Sequence, residues 1–257
     1  MSGPPPLPSF FSAVWLDVID STNDELKRRA DAGASEGLLL CAETQSAGHG
    51  RHGRPWVSPR GNLYCSLLLR PKAPAAKTVQ FSYIAALAAA EAVERQLPPG
   101  FEPVTCKWPN DILLKGRKIG GILLESGARA SRDGRLDWLV IGVGINVLQY
   151  PSECDFPATA LAEWGGRTDR AKLLADFAAA FDRWRGLWDK EGFAPVRQAW
   201  LKRAQWLGQK IEVRTSGGQV IGVFAGVDDA GALIVQGLRG ERHIVAAGDV
   251  FRAAAGA

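Results

Sequence analysis

The sequence predicts an α+β fold: a mixed β-sheet with flanking helices, followed by a small C-terminal β-barrel. Three observations carry this. Apolar runs of strand length alternate with helical segments through roughly the first two hundred residues. Leu173, Phe177, Phe181, Trp184 and Trp188 recur at spacings of four, four, three and four, which is one apolar face of a helix. From about Gln209 the pattern changes to short alternating strands joined by tight turns, over about fifty residues.

The elements follow in order. The proline-rich start is expected to be a disordered tail, over residues 1–9. Phe10 to Ile19 alternates as a strand, and Ser21-Thr22-Asn23-Asp24 predicts a capping box opening a helix that ends near Gly33. Leu38 to Ala42 and Leu63 to Leu69 are apolar enough for buried strands. Phe81 to Leu97, rich in alanine, reads as a core helix stopped by Pro98-Pro99-Gly100. Strands are predicted at Val104 to Trp108, Asp111 to Leu114, Ile119 to Glu125 and Leu136 to Val147. The amphipathic helix follows, then a shorter one from Pro195 to Ala204 with proline in its first turn. Ile211 to Arg214, Gln219 to Gly226 and Leu233 to Val235 begin the all-β part, so a large domain at 10–207 and a small one at 208–257 are expected.

Composition bounds the function. The chain has 257 residues, 46% hydrophobic and 23% charged, as ordinary soluble globular proteins are. A net charge of +4 suits anionic substrates without demanding nucleic acid. Cys41, Cys65, Cys106 and Cys154 are scattered, with no CxxC pair, so neither a zinc ribbon nor a redox motif is indicated. Buried, reduced thiols and a cytoplasmic location are expected. The sequence shows no secretory signal and no apolar run of the ~18 residues needed to span a bilayer, so no membrane role is expected.

Chemistry concentrates in Gly48-His49-Gly50-Arg51-His52-Gly53-Arg54, where three glycines are interleaved with two histidines and two arginines. Such a segment can be neither a core strand nor a stable helix. It reads as a mobile loop closing over an anion, since glycine allows close backbone approach and arginine offers a fork of donors. It is not a P-loop, because no Gly-Lys-Ser/Thr follows, and not a dinucleotide fingerprint, because no helix follows the strand before it. A metal site of His49 with His52 lacks a further Cys or His neighbour in the sequence. A second polar cluster lies downstream, in Lys107-Trp108-Pro109-Asn110-Asp111 and Arg117-Lys118-Ile119-Gly120-Gly121.

Taken in order, Ser21-Thr22-Asn23, the glycine–arginine loop, Lys107 to Asp111, Arg117 to Leu123 and Gly142-Val143-Gly144-Ile145-Asn146 resemble the biotin–protein ligases. The resemblance runs from about residue 15 into the C-terminal barrel. It implies a catalytic domain like that of class II synthetases and an SH3-like C-terminal domain. It also implies two half-reactions: biotin and MgATP give biotinyl-5′-adenylate, then a lysine of a biotin carboxyl carrier protein takes the acyl group and releases AMP.

The resemblance assigns roles residue by residue. Arg51 would lie over the adenylate, and Lys118 would reach the biotin carboxylate and the phosphate. Asp111 would cooperate with that lysine and with metal-bound phosphates, so it is the expected Mg²⁺ ligand. Ser21, Thr22, Asn23, Gln45, Gly48, Arg51, Lys118 and Gly121 would contact biotin. Arg51, Arg54, Trp56, Lys107, Asn110 and Asn146 would surround ATP or the adenylate. Chemistry demands such a set: two anions are forced together, and fixed cations must offset their repulsion. The chain departs from many family members at His49, where they carry arginine, so the loop holds less positive charge near neutral pH.

Two alternatives remain open at this level: a lipoate–protein ligase, which shares fold and adenylation logic, and a non-catalytic biotin-binding module. An operator-binding role is not expected, since only about twenty residues precede Ser21, too few for a helix-turn-helix unit. A monomer and an edge-to-edge homodimer fit the sequence equally.

Overall fold

The computed structural model describes residues 6–127, 135–153, 156–237 and 239–253. Seven strands form the main sheet: β1 (Ser12–Ile19), β2 (Leu38–Gln45), β3 (Leu63–Leu69), β4 (Thr105–Lys107), β5 (Asp111–Leu114), β6 (Arg117–Ser126) and β7 (Leu139–Ile145). Their order is β1-β2-β3-β7-β6-β5-β4. The β1–β2 pair is parallel and every other neighbouring pair antiparallel, so the sheet is mixed as expected. A parallel pair needs a crossover, and helix α1 (Thr22–Asp31) supplies it.

Strand alternation buries both faces of the sheet. Leu40, Leu68 and Val140 point to one side and are covered by Leu26 and Ala30 of α1. Leu39, Leu67 and Ile141 point to the other, against α2 (Gln80–Gln96), which is backed by α3 (Arg170–Glu191) and α4 (Phe193–Lys202). Because α2 is packed on both sides, its apolar residues run almost all round, which is why its alanines tolerate no polar stripe. Ser21 caps α1, its hydroxyl accepting from the Asp24 amide at 3.4 Å. The reciprocal half of the expected capping box is missing: the Ser21 amide donates to Asp20, and the Asp24 carboxylate turns to Lys27. Of the expected tail, residues 1–5 lie outside the described residues, while Leu7 already packs against the core.

The C-terminal domain is a five-stranded antiparallel sheet of β8 (Lys210–Thr215), β9 (Gly218–Val227), β10 (Leu233–Gly237), β11 (Arg242–Val245) and β12 (Asp249–Arg252). Its order is β11-β10-β9-β8-β12, so the last strand returns beside the first and brings Asp249 back toward the catalytic domain. The turn between β9 and β10 docks on α2. Tyr83 Oη donates to the Gly231 carbonyl at 2.6 Å, Trp108 Nε1 shares that acceptor at 3.3 Å, and Gln80 Nε2 donates to the Asp229 carbonyl at 2.8 Å. Glycine is required at 231, where φ is +81° and a Cβ would lie 2.9 Å from the Tyr83 ring. Replacing Tyr83 by Phe keeps the ring packing on Phe193 and Trp200 but removes one donor from this junction. The expected cost is about 1 kcal/mol, seen as a lower urea midpoint with unchanged slope.

Cys41, Cys65 and Cys106 are free and buried, as expected, and Cys154 lies outside the described residues. Burial pushes the Cys106 thiol up to about 12, so it stays protonated and inert. No described helix is long and apolar enough to cross a membrane.

Candidate active site

A cleft of about 960 Å³ opens over the main sheet. Its floor is β6 and β7, where Gly121, Gly142 and Gly144 leave the backbone bare. These glycines make room for specific neighbours: a Cβ at 142 would fall 2.3 Å from Asn23 Oδ1, and one at 144 would fall 2.7 Å from the Trp56 ring. One end of the cleft is neutral and polar. Gln45 Oε1 accepts from the Thr22 amide at 2.8 Å and from Thr22 Oγ1 at 3.1 Å, while its Nε2 donates to Ser58 Oγ at 2.9 Å. Ser66 Oγ lies between Thr22 Oγ1 at 2.8 Å and Asn23 Oδ1 at 2.5 Å. This ladder offers neutral donors and acceptors at the start of α1.

The other end is charged. Asp111, 8% exposed, is held between two ammonium groups, with Lys118 Nζ at 2.5 Å from one oxygen and Lys107 Nζ at 2.9 Å from the other. Burial pushes the Asp111 carboxyl up, but Lys118 and Lys107 outweigh it and hold it below the usual carboxylate range. Lys107 also lies 4.1 Å from the centre of the Phe156 ring. Two lysines against one carboxylate leave this end with a net positive charge fixed in a partly desolvated place. Trp56 lies between the two ends. Its ring is 5.4 Å from Lys118 Nζ, and its indole N–H is buried with no acceptor among the described residues, a donor left available for a ligand.

The glycine–arginine segment is a short flap with defined backbone. It leaves β2 and turns through a 3₁₀ segment at Arg51–Gly53, closed by Gly50 N–H to the Arg54 carbonyl and Trp56 N–H to the Gly48 carbonyl, both at 2.8 Å. The C-terminal domain holds its tip. Asp249 pairs with Arg54 and, at 3.3 Å, with Arg51, whose guanidinium also donates to the Gly248 carbonyl at 3.3 Å and to Asn110 Oδ1 at 3.5 Å. Burial would raise the Asp249 carboxyl, but the two arginines hold it below its ordinary range.

Residues 15–146 match the Biotin/lipoate A/B protein ligase family, and residues 206–252 match the Biotin protein ligase C terminal domain. The chain is 40% identical to the biotin–[acetyl-CoA-carboxylase] ligase of Paracoccus denitrificans over 238 residues, which cover 90% of this chain and 97% of that one. It belongs to the biotin protein ligases. The bifunctional ligase/repressor BirA of Bacillus subtilis is 36% identical over 91% of this chain and 72% of its own length. A structure of the Aquifex aeolicus biotin protein ligase in complex with biotin and ATP superimposes with a TM-score of 0.81 at 28% identity, covering 94% of this chain and 99% of that one.

Within this ligase the cleft gathers Ser21, Thr22, Asn23, Gln45, Arg51, Arg54, Trp56, Lys107, Asn110, Asp111, Lys118, Gly121 and Asn146. Gly48 is not on its wall. It sits beneath the flap, where a Cβ would fall 2.7 Å from both Ser58 Oγ and the Trp56 carbonyl, so its part is to let the flap fold. Asp111, the expected magnesium ligand, lies in the cleft with one ammonium group against each of its oxygens. Asn146 is buried and donates from its side chain to the Thr159 carbonyl at 3.0 Å, bracing the cleft wall. Three contributors escaped the sequence reading. Glu125 accepts from Asn23 at 2.8 Å, and its position on β6, an even number of residues after Gly121 and Leu123, was the available signal. Ser66 and Asp249 carry no local motif; pairing with distant segments brings them in.

Proposed function

We propose that this ligase condenses biotin with ATP to give biotinyl-5′-adenylate and pyrophosphate, then passes the biotinyl group to a lysine of a biotin carboxyl carrier protein, releasing AMP. The observation that carries this reading is the polarity of the cleft. A neutral hydrogen-bonding ladder at one end suits a ureido ring, and the Lys107–Asp111–Lys118 cluster at the other suits a carboxylate meeting a phosphate. In the first step a biotin carboxylate oxygen attacks the α-phosphorus, and the bond to the bridging oxygen of pyrophosphate breaks. Lys118 offsets the repulsion between the two anions, and Arg51, on the flap, covers the product. In the second step the carrier amine attacks the acyl carbon, loses a proton, and AMP departs with the bonding pair. Magnesium enters as the counter-ion that ATP carries on its phosphates, where it neutralises charge; no protein carboxylate is assigned to it.

The same reading divides the chain at about residue 207 into the catalytic domain and the C-terminal domain, which clasps the flap through Asp249, and it places the enzyme in the cytoplasm. Incubating the protein with biotin, MgATP and a carboxylase carrier fragment, followed by intact-mass measurement, tests it: the expected result is one biotinyl group added to the fragment. Transfer of lipoate in preference to biotin, or biotin binding without transfer, would refute it. Arg51→Gly is expected to release the adenylate about tenfold faster, a loss of one cation's worth of attraction in a partly desolvated site. Activated biotin would then label bystander lysines, measurable on an unrelated protein added to the assay.

A further inference from the structure

His49 stands at the base of the flap, opposite the end clasped by Asp249, and its surroundings have a consistent pattern. Its ring lies between two carboxylates from different elements, with Nε2 at 3.5 Å from Glu125 Oε2 on β6 and Nδ1 at 3.8 Å from Asp24 Oδ2 on α1. Lys27 of α1 takes the other oxygen of each, at 2.6 Å from Asp24 Oδ1 and 2.8 Å from Glu125 Oε1. Each carboxylate therefore shows one oxygen to an ammonium and one to the imidazole. The charged groups facing the ring are Asp24 and Lys27 from α1 and Glu125 from β6, with Arg51, His52 and Arg54 following on its own flap.

Two carboxylates and one ammonium leave this corner one positive charge short. Nδ1 also lies 3.4 Å from the Ala47 carbonyl; with oxygen acceptors facing both ring nitrogens, only an imidazolium can donate on both sides, and it carries the missing charge. The corner also reaches the cleft floor, since Glu125 Oε2, the oxygen facing His49, accepts from Asn23 Nδ2 at 2.8 Å.

We infer that His49 is a proton-dependent latch: protonated, it ties the base of the flap to Asp24 and Glu125 and slows release of the adenylate. The inference rests on the ligase reading above. The extra retention is expected in mildly acidic solution and not in mildly alkaline solution. The clasp of Arg51 and Arg54 on Asp249 carries permanent charges and does not change over that range, so the flap has one fixed attachment and one adjustable one.

The test is the dissociation rate of a non-hydrolysable acyl-sulfamoyl adenylate of biotin, which has no titrating phosphate, followed in the full-length enzyme. The wild type is expected to release it about fivefold faster near pH 8 than near pH 6. His49→Asn should be fast and flat across that range, and His49→Arg slow and flat. A merely structural histidine would not be replaced by arginine with retention of the slow rate. A pH-independent rate in the wild type, a pH response surviving in His49→Asn, or a response abolished by EDTA would overturn the latch. If such an enzyme still forms adenylate from biotin and ATP, the ligase reading stands; if it forms none at any pH, both fall.

Discussion

Lys118→Ala is expected to lower biotin-dependent pyrophosphate exchange by about a thousandfold, the upper range for removing one preorganised group that meets developing charge. Lys118 is 27% exposed along its side chain and its Nζ lies 2.5 Å from Asp111, so its position is set before ligand arrives and nothing need reorganise during reaction. Truncation also tips the balance of the cluster. Asp111 would be left with Lys107 alone, and the local charge would fall from positive to zero just where two anions must meet. The fold should tolerate the change, because Lys118 is at the cleft mouth while the strand around it stays paired to β5. The two half-reactions separate the roles. Given chemically made biotinyl-adenylate, Lys118→Ala should still transfer to the carrier within about tenfold of wild type, because the phosphoryl chemistry is bypassed. Exchange at the wild-type rate would remove Lys118 from the mechanism.

Much of the fold is legible in the chain because the signals are local. Leu63 to Leu69 and Asp111 to Leu114 are strands over the stretches expected, since a short apolar run bounded by turn residues has little other choice. The five aromatic and leucine positions of α3 mark its buried stripe, and Pro195 does sit in the first turn of α4. What was not legible depends on partners far along the chain. Strands β11 and β12 are only four residues each and rich in charge, and they exist because β10 and β8 offer them an edge. Glycine-rich composition marks the flap but not its partners: the Gly48 and Gly50 hydrogen bonds fold it back on itself, and Asp249 grips it. That aspartate lies about two hundred residues from Arg51, and no periodicity could reveal the pair.

The chemistry of the site was legible by residue type and not by charge state. Lys107, Asp111 and Lys118 were all expected in the cleft, and all line it. The resemblance led us to expect Asp111 beside Lys118; its second partner, Lys107, was not expected. A carboxylate seen alone in a nucleotide site reads as a metal ligand; the same carboxylate between two ammonium groups is also the anion that aims both lysines.

Asp111→Asn exposes that role directly. The amide fills the same volume but leaves two ammonium groups facing each other, one of them on Lys107, which is 7% exposed. Removing one partner of a buried ion pair costs about 3–5 kcal/mol, and the lower end applies because Lys118 is partly open to water. A loss of about 3 kcal/mol is therefore expected in urea unfolding at neutral pH. Adenylate formation should fall by at least about a hundredfold, as the repelled lysines leave their positions. The pH dependence identifies the cause. In the wild type the folded carboxyl titrates below its unfolded counterpart, so its contribution is complete above the unfolded value near 3.8 and is lost as pH falls through the lower, folded one. The stability gap between wild type and Asp111→Asn should be constant from neutral pH down to about pH 5 and shrink below about pH 4. A gap that persists unchanged in strong acid would show that the variant suffers from lost packing or hydrogen bonding, and that the carboxylate's charge is not what holds the two lysines in place.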